Sequence, residues 1–229
     1  MRFAMKFEYP TYTDILPSTG KSIEYRPFTS KEEKNFLLST QTKKSQDIVN
    51  AVYKLVDSCT SGRASEMTYY DVEYMYLKAR GKSLGEEVEL IGTCDACSTQ
   101  TPFAVHIDDV QVTGKVGTSK IKIDEIGVGI ELSHPGIKAV TVLENTEEDD
   151  EDRFLAESIK KIWTDDEVFD DLSFDDKLQF IEGLTPKNRK LLSQYMADMP
   201  LVNLKGGFTC SGCGKNHTVV LVGLDNFFV

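Results

Sequence analysis

The chain is poor in the residues on which catalysis most often rests. Its 229 residues include three histidines, His106, His134 and His217, scattered along the sequence, and one tryptophan. No carboxylate pair stands at a spacing that identifies acid–base chemistry, and no Gly-x-Ser-x-Gly elbow occurs. Gly20-Lys21-Ser22 matches the end of a phosphate-binding loop, but Ile15 stands where the earlier glycine is required, so the backbone cradle is missing. We therefore expect no enzyme and no small-molecule substrate. No run of about eighteen apolar residues exists, which argues against a membrane-spanning helix. The opening stretch MRFAMKFEYPTYTDILP has no long apolar segment of the secretory kind, so a reducing compartment is the default expectation.

Basic residues are also in short supply, but unevenly. The net charge is −11. Between Glu144 and Asp176 there are 15 acidic residues against 3 basic ones, while the remainder is close to neutral. No broad basic face is available for phosphate backbones, so the sequence argues against nucleic acid as a partner. The acidic run Glu147–Asp152 reads as a solvated loop or helix start, because like charges repel and stay exposed. A basic protein docking on it is the sharper alternative.

Cysteine is scarce as well, yet four of the five stand in two Cys-x-x-Cys knuckles, Cys94-Asp-Ala-Cys97 and Cys210-Ser-Gly-Cys213. Two such pairs in a reducing compartment are the ligand set of a closed, structural Zn²⁺ site, since zinc takes four thiolates tetrahedrally and needs no open position for a structural role. Cys94, Cys97, Cys210 and Cys213 are thus the candidate metal ligands. Gly212 and Gly214 suit a tight second knuckle; the first has no glycine, and Ser98 follows Cys97. Free or redox-active thiols are the competing reading. Cys59 continues the apolar stripe of a helix and is expected to be a buried small hydrophobe.

The pattern along the chain indicates an α+β fold. Strands at 3–9 and 21–28 about the turn Leu16-Pro17-Ser18-Thr19-Gly20 suggest a hairpin. Ser30 to Glu33 has capping-box spacing for a first helix. A second helix runs from about Ser45 to Cys59, and Thr68 caps a third that is apolar or aromatic around most of its circumference. Such a helix is either a central core helix or one whose tyrosines meet a partner. Strands are expected at 86–92 and 101–107 around the first knuckle, then at 121–123, 128–132 and 137–143. Beyond the acidic run, Phe154, Leu155, Ile159, Ile162 and Trp163 make one helical face. Ser173 and Thr185 cap two more helices, and strands at 201–205 and 218–222 flank the second knuckle. This organisation gives an N-terminal hairpin and helical module at 1–85 and a zinc-ribbon-like β module at 86–229. The latter is formed by 86–107 and 201–229, with a β-rich, acidic and helical insertion at 108–200.

Two stretches carry a resemblance. Leu16-Pro-Ser-Thr-Gly-Lys21, running on through Tyr25-Arg-Pro-Phe-Thr-Ser-Lys-Glu-Glu-Lys34, is similar to the opening of the T4-type phage baseplate hub proteins. So is Asp71-Val-Glu-Tyr-Met-Tyr-Leu-Lys-Ala-Arg-Gly-Lys-Ser-Leu-Gly-Glu86, followed directly by a strand and the first knuckle. The resemblance implies a non-enzymatic hub subunit or hub assembly protein of a contractile-tailed phage. Hub and tape-measure proteins would be its partners, and it would be found in the host cytoplasm during assembly or in the virion tail baseplate. The zinc expectation comes from cysteine spacing and not from this resemblance. The alternative from another class is a zinc-ribbon regulatory or nucleic-acid-binding factor. A thiol-based redox enzyme is a third reading.

Overall fold

The computed structural model describes residues 8–42, 44–140 and 150–223. It opens on a hairpin, β1 (Tyr12–Ile15) and β2 (Ser22–Tyr25), paired antiparallel with Ile15 opposite Ser22. The hairpin and its turn are as expected, but the first strand lies at 12–15. Residues 1–7 of the expected strand lie outside the described residues, and Glu8–Tyr9 are not strand. The helix α1 (Ser30–Thr40) starts one residue earlier than its spacing suggested. Thr29 is the cap and Glu32 its partner, because Glu32 also forms a two-pronged ion pair with Arg26 at 2.7 and 3.0 Å. That pair holds the Glu32 carboxyl down at about 2.

The helix α2 (Ser45–Cys59) buries Val49, Val52, Leu55, Val56 and Cys59 as one stripe. Burial pushes the Cys59 thiol up to about 12, so it behaves as the small hydrophobe expected of it. The next helix, α3 (Tyr69–Leu84), is buried on most sides, and Val72, Met75 and Leu77 are at most 1% exposed. Each such side chain contributes about 1.5–3 kcal/mol of burial. Tyr69, Tyr70 and Tyr76 point into the core, which makes α3 the central core helix of the two alternatives.

Both stretches that carry the resemblance meet at this helix. The buried carboxylate of Asp71 accepts from the Ser18 amide at 2.9 Å and from the Ser18 hydroxyl, and it also closes the Thr68 cap of α3. The Phe28 amide donates to Ser83 Oγ at 2.9 Å. The turn Leu16–Gly20 is therefore a dock onto the start of α3.

Two hairpins complete this first core. One is β3 (Glu87–Thr93) with β4 (Gln100–His106). A short strand not expected from the sequence, β5 (Val110–Thr113), pairs with a much later strand described below. Its Val-Gln-Val-Thr alternation was the available signal.

A second core lies entirely within 121–195 and includes Ile123, Ile130, Leu132, Leu155, Ile159, Ile162, Ile181 and Leu192. Its sheet runs β6 (Ser119–Ile123), β7 (Val128–Leu132), β8 (Ile159–Trp163) and β9 (Val168–Phe169) in chain order. Two expectations fail here. Residues 137–140 form a helical turn, α4 (Ile137–Val140), instead of a strand, and 141–143 lie outside the described residues. Ile137 is buried in the first core, so this segment leaves the sheet and has no strand to pair with. The apolar face from Phe154 to Trp163 is split between α5 (Asp150–Ser158) and β8. Pairing won over helical periodicity: Ile162 sits opposite Ile130, and Lys160 and Lys161 reach the buried Glu131 at 3.6 and 3.3 Å. Gly129 opposite Trp163 has no room for a Cβ, which would lie 2.1 Å from the indole. The acidic run enters α5 at Asp150, and 147–149 lie outside the described residues.

The helices α6 (Phe174–Glu182), capped by Ser173 and ended at Gly183, and α7 (Pro186–Ala197) are as expected. The chain then returns to the first core as β10 (Leu201–Thr209) and β11 (Asn216–Val222), with β5 on the far side of β10. The fold is thus α+β, with one core spanning most of the chain and another built inside it.

His134 joins the two cores. Its ring stacks on Tyr195 at 5.0 Å and meets Tyr70 edge-on at 5.4 Å. Nε2 donates to the Lys115 carbonyl at 2.9 Å, which leaves Nδ1 to accept from the Tyr195 hydroxyl at 2.9 Å. Burial disfavours the charged imidazole and lowers its pKa, against the opposing pull of the Lys115 carbonyl.

Candidate metal centre

Each knuckle occupies the six-residue turn of a hairpin. The last paired residues are Thr93 with Gln100 in one and Thr209 with Asn216 in the other. Both turns close with the same two backbone bonds. In the first, the Cys94 amide donates to Thr99 at 3.0 Å and the Ser98 amide to Cys94 at 2.9 Å; in the second, Cys210 donates to Lys215 at 2.8 Å and Gly214 to Cys210 at 2.9 Å. The missing glycine of the first knuckle is thereby explained. Ser98 has φ 59°, the left-handed conformation that Gly214 takes at φ 75° in the matching position. A serine is held where glycine is the easier residue.

The two hairpins lock into each other through glycines that sequence reasoning passed over. A Cβ on Gly92 would lie 2.1 Å from the Phe208 ring, and one on Gly206 would lie 2.3 Å from a Val105 methyl. Each hairpin thus carries a socket for a side chain of the other. At the tips, Lys215 Nζ holds both oxygens of Asp95 at 2.7 and 2.8 Å, and the Ser211 amide donates to Thr101 Oγ1 at 3.1 Å. The signal for the ion pair was present as an acid inside one knuckle and a base just after the other.

This docking brings all four expected cysteines together. Cys94 Sγ is 3.6 Å from Cys213 Sγ, and Cys97 Sγ is 3.5 Å from Cys210 Sγ. All four sulfurs lie within 4.8 Å of one another. The first cysteine of each knuckle faces the second of the other, so the arrangement has an approximate two-fold relation. All five cysteines are free thiols, and 3.5 Å is far beyond the ~2.05 Å of a disulfide. A tetrahedron with metal–sulfur bonds of about 2.3 Å has edges of about 3.8 Å, so the cluster could hold an ion such as zinc with little movement.

The electrostatics suit thiolates. Amides of Cys213 and Gly212 hold the Cys210 thiol down at about 6, and the Thr99 hydroxyl and amide lower that of Cys97. The Lys215 amide pulls the Cys213 thiol down, but three neighbouring sulfurs outweigh it and raise it to about 12. Four thiols this close cannot all lose protons without a cation between them. Cys94 and Cys210 are buried and Cys97 and Cys213 exposed, so the cluster sits at the surface of the hairpin pair.

The remaining candidates lie elsewhere. Cys59 is inside α2 in the first core. His217 stacks on Phe208 at 4.6 Å and lies near Asp95 and Cys94 without belonging to the four-sulfur group. His106 stands beside Glu86 and Asp108, and His134 is at the junction of the cores.

Among the described residues, no helix is long and apolar enough to cross a membrane. The family model described as T4 bacteriophage base plate protein matches residues 9–229, nearly the whole chain. No curated protein and no solved structure matches it. The chain belongs to the T4 bacteriophage base plate protein family.

Proposed function

From membership of that family we infer that the chain is a non-enzymatic structural or assembly component of the baseplate hub of a contractile-tailed phage. It acts by docking other proteins, with hub and tape-measure proteins as partners, and it resides in the virion tail after assembly in the host cytoplasm. Cys94, Cys97, Cys210 and Cys213 hold a structural Zn²⁺ that clamps the two hairpins. The observation that carries this clamp is the pair of sulfur–sulfur distances, 3.5 and 3.6 Å, close to the edge of a zinc–thiolate tetrahedron.

The division into modules at 1–85 and 86–229, with a zinc ribbon at 86–107 and 201–229, is part of the same reading. Support for an insertion at 108–200 comes from the second core, which lies wholly inside that range. Zinc binding contributes folding free energy on the order of 10 kcal/mol in small zinc-dependent peptides. In this chain a hydrophobic core already brings the hairpins together, so the net gain is smaller.

The rival readings draw less support. A nucleic-acid reader needs free basic side chains near the knuckles, and Lys215 is engaged by Asp95. A redox dithiol needs an accessible low-pKa thiol, and Cys210 is buried. Purified hub assembled with wild-type and Cys210→Ser chains tests the proposal. The variant should lose zinc and fail to enter the hub; a zinc-free variant that assembles normally would show that the clamp has no part in docking.

A further inference from the structure

A groove of about 800 Å³ lies between the two hairpins, away from the cysteine cluster. Strand β3 contributes Leu90 and Ile91 to it and β11 contributes Val219 and Leu221; Phe103 and Phe208, stacked at 5.3 Å, also line it. Among the described residues, β3 and β11 are outer strands of their sheets. An outer strand with apolar residues on both faces is a template for further pairing unless something covers it. Strand β11 is of this kind. Val219 and Leu221 face the groove, while the alternating Val220 and Val222 are 49% and 38% exposed. Gly223 follows with φ 73°, and the next six residues read Leu224-Asp-Asn-Phe-Phe-Val229.

We propose that this groove is a strand-docking site and that Leu224–Val229 is its occupant, folding back antiparallel along the outer edge of β11. A left-handed glycine starts many hairpin turns, and Asp225-Asn226 are turn-forming residues. Phe227-Phe228-Val229 is strand-prone and apolar. With 223–226 as the loop, Phe227 stands opposite Val222, Phe228 opposite Leu221 and Val229 opposite Val220. Directly opposed residues share a face. Phe228 then enters the groove beside Leu221, and Phe227 and Val229 cover the outward valines. Both apolar faces of β11 find a partner in one short segment. The proposal is independent of the metal and of the hub reading.

The test compares amide exchange in the full chain and in a chain ending at Gly223. Removal of the six residues should speed exchange of the outward amides among Val219–Leu221 at least about tenfold. In the full chain, ring protons of Phe228 should show through-space contacts to Leu221 methyls, lost in Phe228→Ala. Equal exchange rates and no such contacts overturn the proposal. Protection that rises with protein concentration in both chains assigns the groove to a second copy; protection that needs an added baseplate protein assigns it to a partner. Either result also overturns it. Should the shortened chain fail to fold, Phe228→Ala and Phe227→Ala in the full chain decide. Faster exchange in the first than in the second supports the docking, and equal rates refute it.

Discussion

The two cores close in different ways. The second is assembled from one continuous stretch, with its sheet strands in chain order and its helices packed against them. The first joins a hairpin near the start of the chain to strands beyond residue 200, and its sheet places β10 between β5 and β11. Local contacts carry a small loop-closure cost, whereas bringing β3–β4 to β10–β11 closes a loop of more than one hundred residues. The fasteners stand where that cost is greatest: interlocking glycine sockets, a tip ion pair and a four-sulfur cluster. The second core has none of these and relies on apolar burial and on Glu131 with its lysines.

This contrast can be broken deliberately. Replacing Cys97 or Cys210 by serine should have the largest effect: bound metal falls from one per chain toward none, the hairpin tips lose amide protection, and exchange within 121–195 is unchanged. Metal analysis with site-resolved hydrogen exchange checks both parts. Leu155→Ala, in the second core, should cost about 2–5 kcal/mol in urea unfolding and leave metal content at the wild-type level. A loss of metal in this variant would show that the cores are not separable. Gly92→Val should cost about 1–3 kcal/mol and weaken metal binding, because the Phe208 ring must leave its socket. Unaltered affinity in a chelator competition would mean that the cysteines can meet without the interlock.

The smallest effect concerns the junction. His134 is held neutral by burial, so its folded pKa lies below the ~6.5 of the unfolded chain. The unfolded state then binds more protons in the interval between them. The contribution is complete above about pH 6.5 and is lost as pH falls below it. Denaturant melts between pH 7.5 and 5.5 should show this decline, and His134→Gln should flatten it. A variant that keeps the full slope would place the titrating group elsewhere.

Much of the fold was legible wherever a local rule acts alone. Capping residues and glycine stops located α3, α6 and α7, and the apolar stripe located α2. The cysteine spacing alone selected the four residues that meet. The failures lie where tertiary pairing decides. Nothing in Ile159-Lys-Lys-Ile-Trp163 distinguishes a helical face from a strand until β7 is available beside it. The segment after Pro135 reads as a strand by composition, but Ile137 is drawn into the other core. Thr29 displaces Ser30 as cap because Arg26 fixes Glu32. Gly92, Gly206 and Asp95 could not be singled out, since each acts on a residue more than one hundred positions away.

The metal-to-protein ratio of the purified chain tests the account most directly. One zinc per chain, lost when any one of Cys94, Cys97, Cys210 or Cys213 becomes serine, is the result the clamp requires. Four freely reactive thiols and no bound metal in a fully folded chain would contradict it.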